Sequence, residues 1–316
     1  MEYPRGPAHG VMFHHFHGQG HPKAPGSISR SEFEGIIRLL DPRRILDPIE
    51  WFEKLEGGRL ADADVCLTFD DALLCQFQVA LPVLEEYNLR AFWFVYSCVF
   101  EAHVAKFELY RVFRCNYFSD VEDFYRLFFE KAFGSEWGDK ARAVLKETEI
   151  ARRRTTFPFY SVNDVKFRLI RDRALTRSEY ELLMDAMIRE RGLSLESLAT
   201  GLWMTNEHLR YLSERGHVVG LHSYSHPMVL AELGREEQVR EYERNYRHVS
   251  SVCGKRPIAM AHPGNSYSDE TLEILGALGI RCGFRANMFP KGEGGLLNPS
   301  RLELAREDHA NVVRML

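Results

Sequence analysis

The sequence lacks any long apolar run, and this absence argues against a membrane protein. The longest apolar stretch, residues 91–96, has the length of a β-strand and falls well short of the roughly 18 residues that a membrane helix needs. Residues 1–6 lack the basic start and apolar core of a signal peptide. We therefore expect a cytoplasmic protein without a membrane span.

Paired-cysteine motifs and basic tracts are missing as well. None of the six cysteines forms a CxxC pair, and most of them, such as Cys66 and Cys98, sit in apolar segments. This pattern predicts reduced core thiols rather than disulfides. The net charge is −4 without a uniformly basic tract, so composition does not favour nucleic-acid binding.

What the sequence does contain is a sizeable apolar fraction and one strand with an unusual end. With 316 residues and 45% apolar content, the chain suits a single α/β barrel domain. Residues 65–71, VCLTFDD, predict a buried parallel strand that delivers two acids to its carboxyl end. Because adjacent strand residues point in opposite directions, Asp70 and Asp71 can serve different purposes.

The flanking segments predict a repeated strand–helix pattern with one interruption. A helix over residues 73–87, which Pro82 could kink, and a strand over residues 89–95 complete a βαβ unit. Between about residues 100 and 200, aromatic and basic residues recur at helical spacing. We expect a helical insertion in one domain that spans residues 1–316. The tail from Gly292 is expected to be loop-like until its last apolar residues.

Three further predicted strands also end in polar clusters. These strands cover residues 11–17, 217–221 and 257–261. Parallel strands bring their carboxyl ends to one face of a barrel, whatever their separation in sequence. The clusters that would meet there contain His14, His15 and His17; His222 and His226; and His262, Pro263, Gly264 and Asn265.

Together these residue types suggest metal-assisted hydrolysis. One Asp and two His residues suit a divalent metal such as zinc and leave positions open for water and substrate. The second carboxylate could then take a proton from an activated water. The residues alone do not show which of Asp70 and Asp71 would bind the metal and which would accept the proton. Each motif also has a simpler interpretation, since Asp70 and Asp71 could cap a turn and the spacing of His222 and His226 could be incidental.

Two of these motifs resemble those of the polysaccharide deacetylase family, also called the NodB-homology family or carbohydrate esterase family 4. Residues 68–71, TFDD, resemble its first motif, and residues 222–227, HSYSHP, resemble its HSxxH motif. Residues 82–87 and 209–220 are similar to the segments that adjoin those motifs. The resemblance covers roughly residues 11–98 and 203–285 and leaves the helical insertion outside.

The resemblance implies a fold and a division of labour. The expected fold is a distorted, incomplete (β/α) barrel of the polysaccharide deacetylase type with a helical insertion. Asp70 would be the catalytic base, and backbone N–H groups near Asn265, in the segment with Pro263 and Gly264, would stabilise the oxyanion. The metal, with zinc expected first and nickel, cobalt or manganese as alternatives, would be bound by Asp71, His222 and His226.

Three departures from the family pattern affect the site. Ala72 stands where a glycine often follows TFDD, and a left-handed backbone there would resist alanine. The third motif lacks its usual arginine, and His262 occupies the neighbourhood. The family's late motif, in which a histidine serves as the general acid, is not evident. His309 is the candidate by position, but no apolar residues directly precede it as they do in that motif. The acid could then be His14, His15, His262 or water.

We expect a hydrolase for carbon–nitrogen bonds other than peptide bonds, acting on an acylated sugar. The missing export signal favours an N-acetyl group on a cytoplasmic glycan precursor, such as a nucleotide sugar or lipid-linked glycan for surface polysaccharide or O-antigen. One alternative is removal of another N-acyl group such as formyl. Another is a carbohydrate-binding member of the fold without turnover. The oligomeric state stays open.

Overall fold

The computed structural model describes residues 3–101, 105–156, 160–291 and 295–316. Contacts divide the chain into two units, one comprising Met1–His103 with Gly201–Leu316 and the other comprising Val104–Thr200. All described strands belong to the first unit: β1 (His9–Phe13), β2 (Phe16–His17), β3 (Ile28–Ser29), β4 (Val65–Asp70), β5 (Phe92–Val95), β6 (Val218–Leu221), β7 (Ala259–Ala261), β8 (Cys282–Phe284) and β9 (Arg306–Asp308).

Helices surround the strands in the first unit and make up the second. In chain order they are α1 (Arg30–Leu40), α2 (Pro48–Glu56), α3 (Leu81–Glu86), α4 (Lys106–Asn116), α5 (Val121–Gly134), α6 (Gly138–Ala143), α7 (Glu147–Thr156), α8 (Val162–Leu169), α9 (Arg177–Glu190), α10 (Leu195–Ala199), α11 (Asn206–Glu214), α12 (Arg235–Cys253), α13 (Asp269–Ala277) and α14 (His309–Val313). In the described residues, no helix is both long and apolar enough to cross a membrane.

Seven strands form a nearly closed parallel barrel. Their order is β8-β7-β6-β5-β4-β1-β9, and all pairings between them are parallel. The chain just before β9 also pairs with β8, because the N–H of Leu304 donates to the carbonyl of Gly283 over 2.8 Å. The predicted (β/α) barrel fold is therefore confirmed.

Successive side chains along a strand point alternately into two apolar environments, as expected for a sheet that is buried on both faces. In β4, Val65, Leu67 and Phe69 pack with the surrounding helices. Cys66 belongs instead to a second cluster with Phe94 of β5 and with residues of β7 and β8. This second cluster fills the barrel interior, and Asp70, at even spacing from Cys66, lies at its carboxyl end.

The first predicted strand bends where the sequence suggested a straight run. Residues 11–17 divide between β1 and β2, and β2 pairs with β3 in a separate small sheet. Phe13 and Phe16 both contact the ring of Phe33 in α1, with centroids 5.0 and 5.3 Å apart. Residues three apart face opposite sides of a straight strand, so this shared packing requires the bend.

Helix termini follow the capping residues in the sequence. Ser29 caps α1 and Thr205 caps α11. Pro48 is the first residue of α2, where its missing N–H costs nothing. The helix expected over residues 73–87 is interrupted as Pro82 suggested, since a π-helical turn, Gln76–Ala80, precedes α3.

The expectation of a loop-like tail is wrong for residues 306–313, which form β9 and α14. The residues of β9 are Arg306, Glu307 and Asp308, which carry no apolar signal for a strand. Their pairing with Gly10, Val11 and Met12 of β1 compensates for the missing apolar pattern.

The second unit has an aromatic core of its own. Phe128 lies 4.8 Å from Phe167, and Phe113 lies 6.3 Å from Phe124, measured between ring centroids in edge-to-face contacts. These four side chains are buried. That this unit is an insertion within a single domain spanning residues 1–316 stays a prediction.

Candidate active site

Four strand ends bring polar side chains to the carboxyl edge of the barrel. Asp70 ends β4, and His14 directly follows β1. His222 follows β6, and His262 follows β7. Because the strands are parallel, their carboxyl ends lie at one edge, which is where α/β barrels carry their active sites.

Asp71, His222 and His226 form a compact group of potential metal ligands. The Nε2 atoms of His222 and His226 each lie 3.5 Å from Oδ1 of Asp71. One ligand atom from each residue lies within 4.8 Å of the others. A carboxylate and two imidazoles at this spacing could bind one divalent ion.

The orientation of His222 suits metal binding. Its Nδ1–H donates to the carbonyl of Ala261 over 2.8 Å, so Nε2 carries the lone pair that faces Asp71. Burial lowers the pKa of His222 to about 3. The imidazole is therefore neutral near pH 7, the form that ligates a metal.

Asp70 is held by a buried arginine from the last strand. Its Oδ1 accepts a hydrogen bond from Nη1 of Arg306 over 2.7 Å. Arg306 also donates to Thr68 Oγ1 and, through Nε, to the carbonyl of Arg285. Burial raises the pKa of Asp70, but Arg306, together with smaller contributions from His222 and His14, lowers it by more, and the resulting pKa is about 2. Asp70 is consequently ionised at neutral pH.

His14 faces both carboxylates. Its Nε2 lies 3.9 Å from Oδ2 of Asp70 and 3.9 Å from Oδ2 of Asp71, and 29% of its side chain is exposed. Burial lowers the pKa of His14, while the charge of Asp70 opposes this shift. Of the candidates for the general acid, His14 is thus placed beside the predicted base and open to solvent.

His262 and His309 make their described contacts away from Asp70. Nε2 of His262 is hydrogen-bonded to the carbonyl of Leu302 over 2.8 Å, and its ring stacks on Tyr267. Burial lowers the pKa of His262 to about 4. The ring nitrogens of His309 lie 3.1 Å from the carbonyl oxygens of Met12 and Gly26. A catalytic role for His262 stays a prediction.

The segment Pro263–Asn265 forms a short 3₁₀ turn beside the site. The N–H of Asn265 donates to the carbonyl of His262, and its Oδ1 accepts from the N–H of Ala286. Proline has no N–H to offer. Of this predicted oxyanion segment, the N–H of Gly264 is therefore the donor to test.

Comparisons with known proteins point to one family. The model of the polysaccharide deacetylase family matches residues 184–283, and three solved structures share the fold. With a Streptococcus pyogenes deacetylase, PplD, in complex with acetate, the identity is 16% and the TM-score 0.55, over 96% of this chain and 93% of that one. With IcaB from Ammonifex degensii the identity is 15% and the TM-score 0.53, over 96% of this chain and 91% of that one. With a de-N-acetylase from Aggregatibacter actinomycetemcomitans the identity is 12% and the TM-score 0.54, over 95% of this chain and 94% of that one.

The resemblance to the polysaccharide deacetylase family is confirmed. The matched residues contain His222, His226 and the Pro263–Asn265 turn. The TFDD residues at the end of β4 lie outside the matched range. At these identities the solved structures support the barrel fold alone. A search of curated proteins finds no match.

The first departure from the deacetylase pattern lies in the turn after TFDD. Asp71 and Ala72 both adopt left-handed backbones, with φ of 78° and 55°. This left-handed backbone is the one that glycine adopts most easily. Ala72 adopts it here although it has a Cβ atom. Residues 202–204 hold the turn, because the N–H of Met204 donates to the carbonyl of Ala72 and the N–H of Leu74 to that of Leu202.

The second departure, the absent arginine of the third motif, is compensated from elsewhere in the chain. Arg306 occupies the place beside Asp70 that the sequence analysis associated with His262. Arg306 is not among the residues predicted for the site, because this tail was expected to be loop-like. The alternating residues 302–306, LELAR, were the available signal, since Leu302, Leu304 and Arg306 share one face of an extended chain.

Proposed function

We propose that the protein is a metal-dependent hydrolase that removes an N-acetyl group from a sugar. The observation that carries the proposal is the grouping of Asp71, His222 and His226 next to an ionised Asp70. Two imidazoles and one carboxylate suit zinc, with nickel, cobalt or manganese as alternatives. The three would hold the ion through His222 Nε2, His226 Nε2 and the carboxylate of Asp71.

The chain's own residues would then divide the proton transfers. A metal bound there would polarise the acyl carbonyl and activate a water molecule. Asp70 would take the proton from the attacking water, held in place and kept ionised by Arg306. The protonated form of His14, whose Nε2 lies 3.9 Å from Oδ2 of Asp70, would donate a proton to the departing amine. The N–H of Gly264 would donate to the oxyanion.

The substrate is the less direct part of the proposal. Two of the three similar structures support an N-acetyl sugar, since one is described as a deacetylase in complex with acetate and the other as a de-N-acetylase. We extend the proposal to a cytoplasmic glycan precursor, a nucleotide sugar or lipid-linked glycan for surface polysaccharide or O-antigen. Recovery of the native protein from a periplasmic fraction would count against that extension.

Metal analysis combined with product release tests the reaction. The purified protein, prepared without chelator, is assayed with a panel of N-acetylated and N-formylated sugars and sugar nucleotides. We expect bound metal and acetate release. Formate release alone would favour the deformylase alternative, and bound metal without any release would favour a carbohydrate-binding protein. Absence of metal binding would overturn the catalytic proposal.

Substitutions then test the division of labour between the two carboxylates. Asp71→Ala and His222→Ala should each lose the metal, because each removes a ligand. Asp70→Asn should keep the metal and lose acetate release, since it removes only the base. Loss of metal binding in Asp70→Asn would show that the assigned roles are wrong.

A further inference from the structure

Helix α12 runs behind the loop that carries both histidines of the candidate metal site. Glu241, Arg244, Asn245 and His248 recur along it at spacings of three and four residues, so they share one face. The loop, residues 222–226, lies against this face. Glu241 and Asn245 accept hydrogen bonds from this loop, and neither belongs to the group of potential metal ligands.

Glu241 accepts three hydrogen bonds from the middle of the loop. Its Oε2 accepts from the N–H groups of Tyr224 and Ser225 over 2.9 and 2.8 Å. Its Oε1 accepts from Oγ of Ser225 over 2.7 Å. One carboxylate thus fixes the backbone between the two histidines.

Asn245 fixes the start of the same loop. Its Oδ1 accepts from the backbone N–H of His222 over 3.0 Å, and its Nδ2 donates to the carbonyl of Val95 over 3.0 Å. The side chain is fully buried. Asn245 therefore ties the first histidine of the loop to the end of β5.

The loop conformation is one that ordinary residues resist. Ser223 and His226 have φ values of 62° and 55°, in the left-handed region that side chains with a Cβ disfavour. The N–H of His226 also donates to Oγ of Ser223. Backbones of this kind persist when surrounding contacts over-determine them, and Glu241 and Asn245 supply contacts from outside the loop.

We propose that Glu241 and Asn245 are positioning residues that preorganise His222 and His226 for a divalent metal. This inference rests on the proposed function. With Glu241 in place, the loop holds Nε2 of both histidines 3.5 Å from Oδ1 of Asp71. Without it, ion binding would also have to order the loop, which would weaken the affinity.

Zinc affinity of the metal-free full chain is the test, measured by competition with a chromogenic chelator. Glu241→Ala should weaken zinc binding by roughly 10–100-fold, the usual effect of removing a group that orients a ligand. Glu241→Gln should stay near the wild type, because its amide oxygen can still accept from both N–H groups and the Ser225 hydroxyl can rotate. Glu243→Ala is the matched control, since it removes an exposed glutamate of the same helix.

The absorption spectrum of the cobalt-loaded protein adds a readout that a purely structural role would not change. Glu241→Ala should alter the ligand-field bands, while Glu241→Gln and Glu243→Ala should not. If Glu241→Ala does not fold, Glu241→Asp should weaken zinc binding in the same direction, because it keeps the charge and withdraws the carboxylate by one methylene.

Equal zinc affinity in the wild type and in Glu241→Ala, or in Glu241→Asp if that variant is the one that folds, would overturn this inference alone. A wild-type protein that binds no zinc or cobalt would overturn the proposed function and this inference with it.

Discussion

Replacing Arg306 by methionine would remove the only cation that is hydrogen-bonded to Asp70 in the described part of the chain. Methionine keeps much of the aliphatic volume between the rings of Phe94 and Phe284, where the guanidinium now lies. The carboxylate of Asp70, with 2% of its side chain exposed, would stay buried without its ion-pair partner. We expect a large loss of stability for that reason.

The magnitude follows from two independent considerations. The net fall of the Asp70 pKa from 3.8 to about 2, in which Arg306 is the largest lowering influence, corresponds to roughly 2–3 kcal/mol, at about 1.4 kcal/mol per pKa unit. Removing one member of a buried ion pair costs roughly 3–5 kcal/mol in other proteins. We expect Arg306→Met to lower the free energy of unfolding by about 3 kcal/mol near pH 7.

The pH dependence of this loss has a definite sign. A carboxyl group whose pKa is lowered by folding contributes stability above its unfolded pKa of 3.8, and that contribution is lost as the pH falls towards about 2. The difference between the wild type and Arg306→Met should therefore be largest near neutral pH. It should shrink as the solution is acidified through that window.

Urea unfolding of the metal-free protein measures the effect. Tryptophan fluorescence reports mainly on the barrel unit, because Trp51, Trp93 and Trp203 lie there and only Trp137 lies in the second unit. The double-mutant cycle of Arg306→Met with Asp70→Asn isolates the pair. Arg281→Met is the control, because it removes an exposed ion pair with Glu56 and should cost at most about 1 kcal/mol. If the effects of Arg306→Met and Asp70→Asn simply add, Arg306 and Asp70 do not stabilise each other and the predicted role of this ion pair is wrong.

Two further predictions concern histidines. His14→Gln should lower kcat by roughly 10²-fold, as expected when a proton donor is lost, while zinc affinity stays unchanged; full activity, or a loss of zinc, would contradict the role given to His14. His217 is buried, and its Nδ1 accepts from the N–H of Ala91. Burial, aided by the charge of Arg90, lowers the pKa of His217 to about 4. Because the unfolded chain then binds the proton more readily, the free energy of unfolding should fall as the pH drops from about 6.5 to about 4. His217→Gln should flatten that slope in urea unfolding, and an unchanged slope would show that another group titrates there.

The sequence was most informative where apolar strands end in polar residues. The apolar run before Asp70 predicted β4 correctly, and the residues after β6 and β7 were correctly expected at strand ends. The bend after Phe13 was not predictable from periodicity, because it depends on both Phe13 and Phe16 reaching one ring of α1.

Arg306 was missed for a different physical reason. A strand of arginine, glutamate and aspartate has no hydrophobic pattern, and it forms because β1 offers its edge and Asp70 offers a counter-charge. Both partners lie more than 230 residues away in sequence. Long-range compensation of a buried charge leaves no local signal, so such a residue emerges only when the barrel is assembled.

Because β9 follows all other barrel strands along the chain, the site is completed only after those strands have been synthesised. The strands β1 and β4 to β8 are all made before Arg306 leaves the ribosome, since synthesis runs from the amino terminus. Until then β1 and β8 are open edges, and Asp70 lacks its ion pair with Arg306. Closing the barrel and pairing Asp70 with Arg306 are one event, so a nascent chain that ends before residue 306 contains Asp71, His222 and His226 but not the cation that is hydrogen-bonded to Asp70.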